Sequence, residues 1–129
     1  MSETLYTVRN LKLFNRLNKS IKQGITELQQ KDQEAGENFL NFAVKDAKKL
    51  EQIAEDKYKP YFGNIIKGIG TYLSTKNVDI LISTKPDSVH SQLWSVHKKI
   101  CDDFKIPYLE DVDEMDAAIN KLAEEGKIS

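Results

Sequence analysis

Apolar residues recur every three or four positions through the first half of the chain and then change period, and this change constrains the fold most strongly. From Leu11 they fall at Leu11, Phe14, Leu17, Ile21, Ile25 and Leu28, which places them on one helical face. Asn10 offers a side-chain cap for the first turn. The same spacing resumes at Ala35, Phe39, Phe42, Ala43, Ala47, Leu50, Ile53 and Ala54. Between the two runs lies the polar stretch Lys31-Asp32-Gln33-Glu34-Ala35-Gly36, which contains no proline. Either one long helix crosses it or two helices meet there in a hairpin, and the polar interruption favours two. Pro60 then ends or kinks the second helix, because its ring removes a donor and clashes with the preceding turn. Ile65, Ile66, Ile69, Tyr72 and Leu73 mark a third helix, with Gly63, Gly68 and Gly70 as close-packing or turn positions.

The second half reads differently. Val78-Asp79-Ile80-Leu81-Ile82-Ser83 is a short β-branched run of the kind that forms a buried strand. Pro86 suits the first turn of a following helix, whose apolar side is Val89, Leu93, Val96 and Ile100. Ile106-Pro107-Tyr108-Leu109 reads as a second strand, so the order matches a parallel β-α-β crossover. Thr4-Leu5-Tyr6-Thr7-Val8 could add a third strand. Met115, Ala118, Ile119 and Leu122 make a final helix, capped by Asp111 or Asp113 and stopped at Gly126. The expectation is an α/β or α+β fold in one domain of 129 residues. Residues 1–58 form a mainly helical section, and residues 61–129 form a β-α-β-α unit with a small, mainly parallel sheet, three-layer and α/β/α-like.

Composition narrows the function classes. The formal net charge is −1 and 40% of residues are apolar, so the chain is neither a strong polycation nor a disordered polyampholyte. Apolar runs reach about three residues, too short to cross a bilayer, and no signal segment opens the sequence. The single cysteine, Cys101, excludes an internal disulfide framework and fits a reducing, cytoplasmic setting.

No complete catalytic set, cofactor motif or metal-ligand set is visible. The best-placed ligand loop is Ser83-Thr84-Lys85-Pro86-Asp87-Ser88, with His90 one turn on. Beyond a parallel strand and at a helix start, it offers hydroxyls, an ammonium and free N–H groups to a phosphate or nucleotide. The plainer account is that Thr84, Asp87 and Ser88 cap the helix. His90, Trp94, His97 and Cys101 share one helical face, but His90 and His97 stand about 10 Å apart along the axis, too far to share one metal ion. That face therefore reads as a packing or interface seam. The acids Glu110, Asp111, Asp113, Glu114 and Asp116 read as caps and solubilising charge.

Charge is unevenly spread. Residues 1–31 carry six cations and two acids, hence +4, whereas residues 102–125 carry two cations and nine acids, hence −7. Arg9, Lys12, Arg16 and Lys19 follow helical spacing and form a basic stripe. With Phe14, Trp94 and His97, this stripe makes the candidate interface. The leading expectation is a small binding or regulatory protein acting through protein contacts, by self-association or as an inhibitor- or immunity-type partner. The alternatives are a small phosphate- or nucleotide-binding enzyme using the 83–88 loop, and an RNA-binding domain.

The RNA alternative has a further source. Val78-Asp79-Ile80-Leu81-Ile82, then Pro86, then Cys101 followed by Ile106-Pro107-Tyr108 resemble the kink-turn RNA-binding ribosomal protein family over less than half of the chain. The resemblance implies a three-layer α/β/α sandwich that binds bent RNA. Its RNA-contacting turn would fall at Gly63-Asn64 and Lys67. Ile65 and Ile66 stand where that family carries an Asn-Glu pair.

Overall fold

The first helix begins at Thr7, whose hydroxyl accepts from the Asn10 amide at 3.0 Å, so Asn10 is the capped residue and not the cap. A computed structural model describes residues 4–129. Helix α1 (Val8–Gln29) buries Leu11, Phe14, Leu17 and Ile21, as their spacing requires. Lys31 takes a left-handed φ of 66°, and the Asp32 carboxylate accepts from the Ala35 amide at 3.1 Å to cap α2 (Gln33–Ile53). The polar stretch is thus a tight turn, and the two helices form an antiparallel hairpin. Gly24 and Gly36 allow it to close: a methyl group on Gly36 would come within 2.7 Å of the Leu28 side chain and 3.0 Å of the Gly24 carbonyl oxygen.

Pro60 does not end α2, which stops at Ile53. It occupies the first turn of α3 (Lys59–Thr75), where its missing N–H has no partner to lose. Helix α3 ends at Lys76, again with a left-handed φ, of 59°. A short helix, α4 (Asp79–Ile82), leads to α5 (Val89–Phe104) and α6 (Val112–Glu124). Helix α3 packs between α2 and α5, and α6 lies against α1. At Gly68 an added methyl would meet the Val89 side chain at 2.6 Å, so close packing of α3 on α5 explains that glycine. Of the α6 signals, Asp111 is the cap and Gly126 takes a φ of +75° just past the end.

The predicted sheet does not exist: no strand occurs among the described residues, and the chain is helical in both halves. The α/β fold, the β-α-β-α unit over 61–129 and the kink-turn family resemblance, which requires a sheet, are all corrected by this. The run at 78–83 coils because one helical turn satisfies its backbone without help from other segments. The amides of Leu81 and Ile82 donate to the Val78 carbonyl and that of Ser83 donates to the Asp79 carbonyl, at 2.9–3.2 Å. The Asn77 side chain receives the Asp79 amide at 3.1 Å and starts the turn. Only Leu81 is fully buried, and Ile82 is 37% exposed, whereas a central strand would bury both faces. Ile106–Leu109 has no regular structure and joins no strand ladder, and Pro107 removes a donor there. In the third predicted strand, Val8 already belongs to α1. Pro86 sits in the turn before α5, outside its first turn.

The segment ahead of α1 is tied to the rest by polar contacts. The Leu5 amide and the Thr4 hydroxyl donate to the Glu55 carboxylate at 2.9 and 3.0 Å. The Tyr6 and Tyr58 hydroxyls lie 2.8 Å apart, and Tyr58 donates to Asp103. Burial pushes the Asp103 carboxyl up, yet its bonds to Tyr58 and Lys57 together bring it below the usual carboxylate range. Of these residues Thr4 also lines the groove described next.

Candidate functional site

In the anticipated anion loop, Ser83 and Ser88 are engaged in capping. Ser88 is buried, its hydroxyl accepts the Ser91 amide at 3.1 Å and donates to the Ser83 carbonyl at 2.7 Å, and it caps α5. The Ser83 hydroxyl accepts the Lys85 amide at 3.3 Å. Thr84, Lys85, Asp87 and His90 are exposed around this turn and line neither the depression between Thr4 and Lys49 nor that around Glu51 and Pro60. Without a sheet there is no carboxyl edge to aim them at a common point.

The α5 stripe divides by depth. His97 and Cys101 are buried, His90 is exposed and Trp94 is 45% exposed beside Tyr108 and Lys98. His97 receives an N–H from Asn18 at its Nδ1, 3.2 Å away, and packs against Phe14 and Tyr108. Burial, with the charge of Lys22 adding to it, holds the imidazole down to about 4, so His97 is neutral at physiological pH. Burial likewise pushes the Cys101 thiol up, which makes it a poor nucleophile. Phe14 is fully buried, so Phe14 and His97 belong to the core and lie beyond a partner's reach.

Three residues of the basic stripe, Arg9, Lys12 and Arg16, by contrast border a groove. Arg9, Lys12, Arg16 and Lys19 all face solvent along α1. Because α2 runs antiparallel, its last two turns bring Lys49, Gln52 and Ile53 level with Arg9, Lys12 and Leu13. Together with Thr4, Thr7, Asn10, Arg16 and Ser129 they line a groove of about 1130 Å³. No aspartate or glutamate side chain is among its lining residues. Leu13 and Ile53, half-buried, form an apolar floor. The groove lies where the positive end of the α1 dipole meets the negative end of the α2 dipole, so its positive character rests on the side chains, and one orphan amide there, that of Val8, is taken by the Ser129 main-chain oxygen at 3.0 Å.

Within this set Arg16 differs from the others. Its Nε and Nη2 donate to the two carboxylate oxygens of Asp46 at 2.9 and 2.7 Å. Asp46 is buried, and this bond raises the Arg16 guanidinium above its ordinary value. Arg16 is therefore oriented and largely neutralised. Arg9, Lys12 and Lys49 make no ion pair among the described residues. Spacing along α1 groups Arg9, Lys12 and Arg16, which line the groove, with Lys19, which does not. Lys49 and Ile53 were not legible as members, because only the hairpin register carries α2 to that place.

Comparison with known proteins gives no match to a family model, a curated protein or a solved structure.

Proposed function

We propose that this protein is a binding domain that recognises an acidic segment of a protein partner along the front of the α1–α2 hairpin. The observation that carries this reading is the convergence of Arg9, Lys12 and Lys49 on one groove with an apolar floor and no acid side chain lining it among the described residues. At about 1130 Å³ the groove exceeds the roughly 300–1,000 Å³ typical of small-molecule pockets, and it is open, which suits a chain segment better than a metabolite. A long nucleic acid is disfavoured by charge. The chain has two arginines, one of them bound to Asp46, and the surplus of seven negative charges over residues 102–125 would repel an extended polyanion.

Fluorescence polarisation of a labelled 12-residue Glu/Asp-rich peptide tests the reading. Lys12→Glu with Lys49→Glu should weaken binding at least tenfold, and added salt should weaken it further. Lys85→Glu, in the α5 capping turn, should leave it unchanged. Equal binding by the charge-reversed protein, or tighter binding of a single-stranded RNA of the same charge, would exclude the proposal.

A further inference from the structure

The same face continues past the groove. Phe42 is 61% exposed, the most exposed large apolar side chain among the described residues, and only Lys45 is seen over its ring, at 5.6 Å. Phe42 and Lys49 are seven residues apart on α2, two turns or about 10.5 Å, and so project in nearly the same direction. The Arg16–Asp46 bonds and the Gly24–Gly36 approach fix the hairpin register, which brings Lys19 level with Phe42. The front of the hairpin therefore has an order. Ile53 and Leu13, then the neutralised Arg16–Asp46 pair, then Phe42 follow one line near the junction of the helices. Exposed cations edge that line on both sides: Arg9, Lys12 and Lys19 on α1, Lys45 and Lys49 on α2.

We infer that the occupant of this face is an acidic amphipathic helix, with an apolar stripe set on Leu13, Ile53 and Phe42 and flanking carboxylates set on the two rows of cations. This rests on the reading of the groove given above. A line of Leu13, Ile53 and Phe42, interrupted by the internally neutralised Arg16–Asp46 pair and bordered by cations on both sides, complements a helix whose apolar stripe is bordered by acids. A groove between two antiparallel helices also accepts a third along its axis, as in a helical bundle. The span from Ile53 to Phe42 is eleven residues, about 16 Å, and would take an apolar stripe at positions i, i+3, i+7 and i+10 of the incoming helix.

Two alanine-based helical peptides of equal charge provide the test. One carries leucines at i, i+3, i+7 and i+10 with glutamates on either side, and the other has alanines in place of the leucines. The protein should bind the leucine peptide at least tenfold more tightly. Phe42→Ser should reduce that preference severalfold while binding of the alanine peptide stays the same. Circular dichroism and the urea midpoint should match the parent, since Phe42 contributes little to the core. Equal affinity for the two peptides, or a leucine preference untouched by Phe42→Ser, would overturn the inference. If charge reversal at Lys12 and Lys49 still abolishes binding in that case, the groove reading stands alone. If charge reversal has no effect on either peptide, the groove reading falls as well. Stronger partition onto phosphatidylserine vesicles than onto the leucine peptide would also overturn it.

Discussion

Helix α1 is packed along two seams, and they are built from opposite materials. Its seam with α2 is apolar and close, and at Gly24 and Gly36 the backbones approach until a single methyl has no room. Its seam with α5 and α6 is polar. There Asn15 donates to the Val112 carbonyl and to Asp116 at 2.9 and 2.7 Å, and Asn18 donates to His97. In this second seam Asn15 Oδ1, Asn18 Oδ1 and His97 Nε2 are buried with no partner among the described residues. The close seam answers chiefly to volume, with the Arg16–Asp46 pair at its solvent edge, whereas the polar one answers to proton and hydrogen-bond balance. The basic groove lies on the volume-controlled side, which gives its cations a rigid mount.

The contrast can be broken first at its tightest point. Gly36→Val should lower the unfolding free energy by about 3 kcal/mol through overpacking against Leu28 and the Gly24 carbonyl, read as a lower urea midpoint. An unchanged midpoint would show that the α1–α2 seam has slack.

The second prediction concerns the polar seam and has a definite sign. The folded His97 value, about 4, is below the ordinary value near 6.5, so the unfolded chain binds more protons between those limits. Stability conferred by neutral His97 is therefore complete above about pH 6.5 and is lost as pH falls toward 4. Roughly 2 kcal/mol should disappear between pH 7.5 and pH 5. The non-titrating His97→Gln should flatten that part of the profile, and an equal slope in both proteins would refute the assignment.

The smallest effect returns to the first seam at its solvent edge. Arg16→Met leaves the Asp46 carboxylate buried without its partner, but the arginine side chain is 61% exposed and screened by water. About 1 kcal/mol should be lost, and Asp46→Asn added to it should recover part of that in the same urea series.

Legibility followed the same division. Helical periodicity from Leu11 to Ala54 and from Met115 to Leu122 named most of the buried faces, because long amphipathic segments leave little choice of structure, but it also placed Phe42 there, which is 61% exposed. The run at Val78–Ser83 is too short for periodicity to separate strand from helix. Its preference was settled by Asn77 ahead of it and by the lack of any pairing edge. A strand at 78–83 would put the 83–88 turn at a sheet edge and make Ile106–Leu109 its neighbour; with no strand among the described residues, both inferences lose that support. Of the candidate interface, Arg9, Lys12, Arg16 and Lys19 were readable from spacing. Lys49, Ile53 and Phe42 required the antiparallel register, which depends on where the turn at Lys31 falls. The burial of Phe14 agrees with the apolar periodicity of α1, while that of His97 depends on how α5 lies against α1.

Trp94 is the single tryptophan of the chain. It stands half in solvent on α5, its ring 6.2 Å from that of Tyr108 in the stretch before α6. In optical terms the protein carries one indole reporter, placed on a different helix from the basic groove. Its emission follows the docking of the 105–111 segment onto α5, while a tryptophan-free peptide bound between α1 and α2 leaves it dark to the event. Unfolding of the polar seam and occupancy of the hairpin face can thus be recorded in the same cuvette as separate signals, one from the indole and one from a dye on the peptide.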